Sequence, residues 1–307
     1  MDSAAPRHFL TLTDLDKSTL EQLLDRAAVL KADRLADRSL EGKSFVMIFY
    51  KASTRTRLSF EVGAKQLGAQ VSVLNASTTQ LGRGEPIEDS ARVMSRYADA
   101  VMIRTYAHEE LERWASVASC PVINGLSDRF HPCQLLADLL TCREAFPDLP
   151  WSALPVAWIG DGNNMAHSWI QAARILGFPL RLACPAGYEP EADLIEAARR
   201  DGAEILLTED PVEATRGALV VTTDVWASMG QEEESRARQA AFAGYQVDEA
   251  LFSHAETEAI FLHCLPAHRG EEVSEAILEG ERSWVWTEAE NRLHAQKALL
   301  LHCLAAK

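Results

Sequence analysis

The stretch Phe45-Val46-Met47-Ile48-Phe49-Tyr50-Lys51-Ala52-Ser53-Thr54-Arg55-Thr56-Arg57 decides the fold. Its first six residues form a short apolar run suited to a strand buried on both faces, and a segment of helical period follows towards Leu67. The pattern then recurs. Apolar runs bounded by Gly, Pro or polar clusters appear at Val71–Leu74, Ala100–Ile103, Pro121–Ile123, Val156–Ile159, Leu180–Ala183, Ile205–Leu207, Leu219–Val221 and Ile260–Leu262. Helical segments separate most of them. Parallel neighbours need a long return connection, so the alternation predicts an α/β protein built on mostly parallel sheets flanked by helices.

The chain has 307 residues, and at roughly 150 residues per domain this predicts two domains. Pro147 and Pro150 would break any helix through the midpoint, so the boundary is expected near 147/148. Upstream, the apolar positions Leu15, Leu20, Leu23, Leu24, Ala27 and Leu30 predict an amphipathic helix capped by Asp14. A last helix is expected from Glu288 to about Ala305, able to pack on either half.

Composition limits the partners. With 30 basic against 45 acidic residues the formal charge is −15, which disfavours nucleic acid and anionic membranes. An anionic small substrate would require basic residues gathered locally. The six cysteines form no C-x-x-C pair, which predicts reduced thiols. No apolar run nears the roughly 20 residues of a membrane span, and a soluble cytoplasmic protein is expected.

Six segments carry candidate chemistry. Ser53, Thr54, Arg55 and Thr56 start a helix directly after a strand, where orphaned N–H groups, the positive dipole end, hydroxyls and a guanidinium converge on a phosphate-sized point. The same residues also read as a Ser-capped helix with solvated arginines. Alternate helix residues point about 200° apart, so Arg55 and not Arg57 is expected to face a ligand. Arg104 ends the Ala100–Ile103 strand, at the edge where α/β sheets collect ligands. His131 and Gln134, around Pro132, offer an imidazole and a carboxamide for a carbonyl oxygen and an amide. Gly160-Asp161-Gly162-Asn163-Asn164 resembles a dinucleotide turn, but Met165 stands at the third glycine position and no carboxylate follows near Leu182–Cys184. Asn163 and Asn164 remain able to bind a small carboxylate. Asp224, after Leu219–Val221, reads as an unpaired acid at a strand's carboxyl end suited to an ammonium group, or as an N-cap before the acidic run Glu232–Glu234. His263 and Cys264 invite zinc or nucleophile readings, yet four-ligand spacing is absent; a cysteine lining a substrate slot fits better.

Taken together, S-T-R-T-R (Ser53–Arg57), H-P-C-Q (His131–Gln134), D-V-W-A-S-M-G-Q (Asp224–Gln231), H-C-L-P (His263–Pro266) and E-N-R (Glu290–Arg292) resemble the aspartate/ornithine transcarbamoylase family. The S-M-G loop with H-C-L-P resembles its ornithine-using branch, and the likeness runs from about His8 to Leu304. It implies a carbamoyl-phosphate domain over 1–147 plus 288–307 and an ornithine domain over 148–287. It also implies a homotrimer, or a multiple of trimers, with shared active sites. By resemblance, Ser53, Thr54, Arg55, Thr56 and Arg104 hold the phosphate, and Arg104, Thr56 and His131 reach the carbonyl oxygen. Gln134, Arg292 and the backbone carbonyls of Cys264 and Leu265 hold the carbamoyl group. Asn164, Asp224, Ser228 and Met229 bind the amino-acid end of L-ornithine, with the Cys264 side chain near its reacting amine. Gln80 is the residue a neighbouring subunit contributes. Tyr50 departs from the acid expected before Lys51, with a salt bridge beside the phosphate loop as the feature affected.

The implied reaction moves the carbamoyl group of carbamoyl phosphate to the δ-amine of ornithine. It proceeds by direct attack, with no metal, cofactor or covalent enzyme intermediate, and gives citrulline and phosphate. The alternatives are a sibling acting on putrescine or an N-acylated ornithine, and a catalytically silent binding subunit.

Overall fold

A computed structural model describes residues 6–227 and 235–304. The chain divides into two compact units, Met1–Leu140 with Glu290–Lys307, and Thr141–Ala289. The passage from one to the other lies inside helices. α5 (Pro132–Ala145) and α12 (Val285–Leu304) each span a boundary, and Pro147 and Pro150 lie beyond the end of α5.

The first unit is a four-stranded sheet in the order β2-β1-β3-β4, with β1 Ser44–Phe49, β2 Gln70–Asn75, β3 Ala100–Arg104 and β4 Val122–Leu126. Every pairing is parallel. The helices α1 (Lys17–Ala32), α2 (Thr54–Gln66), α3 (Ile87–Met94) and α4 (His108–Val117) flank it. β3 is buried at all five positions, whereas the edge strand β2 alternates. A core of Ile48, Val101, Ile103, Leu111, Trp114 and Val122 lies on one side of this sheet. Asp14 does not cap α1. Asp16 does, its carboxylate accepting from Thr19 N at 2.7 Å. The Asp14 carboxylate turns back to accept from Leu10 N and Thr11 N at 2.6 and 2.9 Å, so a 3-10 turn over Leu12–Asp14 intervenes before the helix. The apolar stripe itself is buried, Leu20 and Leu24 completely, and each such leucine contributes about 1.5–3 kcal/mol.

The second unit is a five-stranded parallel sheet in the order β7-β6-β5-β8-β9. Its strands are β5 Val156–Ile159, β6 Leu180–Ala183, β7 Ile205–Thr208, β8 Val220–Thr223 and β9 Ile260–His263. Strand order reverses between β5 and β8, the place where an open α/β sheet opens a crevice at its carboxyl edge. The helices α6 (Asn164–Leu176), α7 (Ala192–Arg200) and α8 (Pro211–Thr215) connect strands, α9 (Ser235–Ala241) and α10 (Glu249–Phe252) precede β9, and α11 (Glu275–Leu278) follows it. Trp226, Phe242, Phe252 and Phe261 fill its core.

One contact in the first unit fixes the position of α12. A Cβ placed on Gly63 of α2 would lie 3.1 Å from Lys297 Cγ and 3.5 Å from Leu293. The glycine therefore permits the close approach that carries Arg292, one turn back along α12, to Thr56. Gly63→Val should push α12 away and lower both the melting temperature and the affinity for inorganic phosphate. Unchanged phosphate affinity, measured by calorimetry on a variant with native circular dichroism, would refute this coupling.

Candidate functional site

In the first unit the polar residues meet at the carboxyl edge of β1 and β3. Ser53 caps α2, its hydroxyl accepting from Thr56 N at 3.2 Å, as the capping reading expects. The N–H groups of Thr54 and Arg55 sit in the first turn, where a helix offers them no acceptor of its own. Thr56 is fully buried, and its Oγ1 accepts from Arg104 at 3.2 Å and from Arg292 at 2.8 Å. Thus β3, α2 and α12 bring two guanidinium groups to one hydroxyl. The β3–β4 register shifts between Ile103 and Arg104, a local irregularity at the strand end of the kind that re-aims a side chain.

His131, Arg104 and Arg292 form one electrostatic group. The imidazole is almost fully buried. Burial first, then Arg292 and Arg104, push its pKa well below the ordinary value, so it is neutral at pH 7. Gln134, one turn along α5, is buried and donates its amide N–H to Asp138 at 2.8 Å. Sequence reading did not single out Asp138; the i, i+4 spacing of Gln134 and Asp138 was its only sign. Arg55 is half-buried, while Arg57 is exposed and faces Glu61 at 3.6 Å, as the helical periodicity anticipates. Gln80 lies on an exposed turn. Between β1 and α2, Lys51 stacks on Tyr106 at 4.0 Å, and burial and Arg104 lower its pKa. Tyr50 is half-buried, its hydroxyl pKa raised by burial and by Glu110.

The second unit gathers its polar groups at the carboxyl ends of β5, β8 and β9. Asp224 is buried but not unpaired as the sequence suggested. It accepts from Val225 N at 2.8 Å, from Asn163 Nδ2 at 3.0 Å and from the Cys264 thiol at 3.1 Å. Asn163 also caps α6, its side-chain oxygen accepting from Met165 N and Ala166 N. Asn164 occupies the first turn and is half-buried. Ser228 and Met229 lie outside the described residues.

After β9, His263 Nδ1 accepts from Leu265 N at 2.9 Å, which puts the ring proton on Nε2, 3.1 Å from Glu272 Oε1. Leu265 itself has φ 57, a left-handed conformation costly for a branched side chain and held here by that bond. Asp224, His263 and Cys264 place one donor atom each within 4.8 Å of one another. As a metal centre the trio fits poorly, because both His263 nitrogens already serve backbone and Glu272. The Gly160–Asn164 turn does not cradle a dinucleotide either. A Cβ on Gly162 would fall 2.2 Å from Pro190 N, so the chain's own backbone occupies the close approach that a pyrophosphate would need.

Two parallel α/β sheets, each with a polar cluster at its carboxyl edge, define a two-domain α/β enzyme. Residues 7–144 match the family described as "Aspartate/ornithine carbamoyltransferase, carbamoyl-P binding domain", and residues 152–303 match "Aspartate/ornithine carbamoyltransferase, Asp/Orn binding domain". The chain is 55% identical over 298 residues to an ornithine carbamoyltransferase of Geobacter sulfurreducens, covering 96% of this chain and 98% of that one. It is 56% identical over 301 residues to one of Methylococcus capsulatus, covering 98% and 99%. The solved ornithine carbamoyltransferase of Pyrococcus furiosus superposes with a TM-score of 0.92 at 46% identity, covering 98% of each chain. The chain belongs to the aspartate/ornithine carbamoyltransferase family.

The depressed pKa of His131 has a stability consequence. In the unfolded chain the imidazole takes a proton below about pH 6.5, while the folded one refuses it, so its contribution is present above that pH and lost as pH falls. The urea midpoint should drop between pH 7.5 and 5.5, and His131→Asn should flatten that slope; identical slopes would remove His131 as a cause.

Proposed function

We propose that the chain transfers the carbamoyl group of carbamoyl phosphate to the δ-amine of L-ornithine, giving L-citrulline and phosphate. The observation that carries this reading is the shared Thr56 hydroxyl, which gathers Arg104 and Arg292 beside a neutral His131 at the start of α2. Such a cluster suits a phosphate dianion joined to a carbonyl. The first unit is then the carbamoyl-phosphate domain and the second the ornithine domain.

Ser53, Thr54, Arg55, Thr56 and Arg104 take the phosphate through side chains and first-turn N–H groups, and the same charges stabilise phosphate as it leaves. Arg104, Thr56 and His131 donate to the carbonyl oxygen, on which negative charge grows as the amine adds. Neutrality matters at His131. An imidazole that stays uncharged donates a hydrogen bond without adding a third cation to the pair of guanidinium groups. Gln134, Arg292 and the carbonyls of Cys264 and Leu265 orient the carbamoyl amide. Asp224, Asn164, Ser228 and Met229 hold the α-amino acid end, and Cys264 lies beside the δ-amine.

The free δ-amine resembles a lysine, with a pKa of about 10.4, and it attacks only after losing a proton. Orientation and exclusion of water supply the remaining acceleration. Asp224 with the Ser228–Met229 loop favours a free α-amino acid over putrescine or an acylated ornithine, and rates on those three amines decide between them.

Assembly as a homotrimer is part of the proposal. Leu58 and Val62, one turn apart on α2, are 54% and 40% exposed, an apolar pair suited to a subunit contact. Gln80, exposed on its turn, is then free to serve a neighbour's site. The free thiols, all buried or half-buried, suit a reducing cytoplasm. Among the described residues no helix is long and apolar enough to cross a membrane.

Citrulline formation from ornithine and carbamoyl phosphate is the primary test, and its absence in a folded trimer would sink the reading. Arg55→Ala should abolish carbamoyl-phosphate binding with the solution mass unchanged. Losing the oxyanion donor in His131→Ala should lower kcat by roughly 10²- to 10³-fold. Radiolabelled carbamoyl groups should not stay on denatured enzyme; a retained label would replace direct attack with a covalent intermediate.

A further inference from the structure

We infer that the turn His268–Glu272 is a binding site for one divalent transition-metal ion, taken up by His268 Nδ1 and the carboxylates of Glu271 and Glu272. These three donor atoms lie within 4.8 Å of one another on five consecutive residues. His268 Nδ1 stands 3.8 Å from Glu272 Oε2 and 3.9 Å from Glu271 Oε2. At metal–ligand distances of about 2.0–2.2 Å, one ion fits between such a nitrogen and oxygen with a small side-chain adjustment.

The turn is built before any ion arrives. Glu271 N donates to His268 O at 3.0 Å, Gly270 N to Val273 O at 2.9 Å, and Gly270 takes φ 87 to close the bend. Glu272 is fully buried, and its Oε1 accepts from His263 Nε2 at 3.1 Å and from His268 N at 2.6 Å. Its other oxygen is different. Oε2 is buried without a hydrogen-bond donor and points at the His268 ring. A buried carboxylate oxygen left unsatisfied is costly, commonly about 1–3 kcal/mol or more for a charged group, and a bound cation would satisfy it. The side chains of His268 and Glu271 are 52% and 43% exposed, which leaves an entry path and room for water ligands.

Ligand chemistry selects the ion. One imidazole with two carboxylates suits zinc, cobalt or nickel better than calcium, which prefers oxygen alone. Binding requires the imidazole nitrogen and both carboxylates to be free of protons. The site is separate from Asp224 and Cys264, and it connects to the His263–Pro266 segment through the Glu272–His263 bond.

The test is a titration of metal-stripped, full-length protein with cobalt(II), followed by calorimetry and visible absorption. One equivalent should bind, with no thiolate-to-cobalt charge-transfer band. His268→Ala and Glu271→Gln, both at exposed side chains, should each weaken binding at least about tenfold, as loss of a ligand does, with unfolding temperatures unchanged. Cys264→Ser should leave the cobalt affinity as it was. Wild-type affinity in His268→Ala, loss of binding in Cys264→Ser, or no saturable uptake by the unaltered protein would each overturn the assignment.

Discussion

Two guanidinium groups donating to one threonine hydroxyl are the constraint on which the first unit depends. Arg104 arrives on the strand β3 and Arg292 on the helix α12, separated by most of the chain, and both are nearly inaccessible to solvent. Two like charges at such range repel, and burial removes the water that would screen them. Thr56 Oγ1 accepts a hydrogen bond from each, and His131, held neutral, adds no third charge.

Strand and helix placement was largely legible, for a simple reason. Buried parallel strands are continuous apolar runs, and Phe45–Tyr50, Val156–Ile159 and Leu180–Ala183 fall within a residue of their observed bounds. Caps were less legible. Asp14 and Asp16 are both acids ahead of the same apolar stripe, and only the three-dimensional turn at Leu12–Asp14 tells which one meets Thr19 N. The chain's passage between units was hidden for a related reason, since no Pro or Gly marks the interior of α5 where the contacts divide.

At the site, residue types could be read but their pairings could not. Asp224 looked like a lone acid because its partners, Asn163 and Cys264, are 61 and 40 residues away in sequence. Likewise, Gly63 carries no motif. Its need for a missing side chain arises from Lys297, which lies at the other end of the chain. Gly162 is the converse case, a glycine whose motif suggested a phosphate and whose neighbour proves to be Pro190. In each, the sequence supplied the chemical group, and a long-range contact supplied its reason.

The formal charge of −15 and a local gathering of arginines are compatible because the two act over different distances. At physiological ionic strength fields fade over about 8 Å, so exposed acids spread over the surface contribute little at the mouth of a buried site. Hydrogen-bonded arginines inside a low-dielectric pocket are screened far less. Many of the acids are also spent locally. Asp99 accepts from Lys43 and Ser44 N, Glu88 from Arg113, and Glu61 from Lys65, each with a lowered carboxyl pKa that marks it as engaged. The local field around Thr56 is therefore set by Arg104 and Arg292 and not by the sum over the chain.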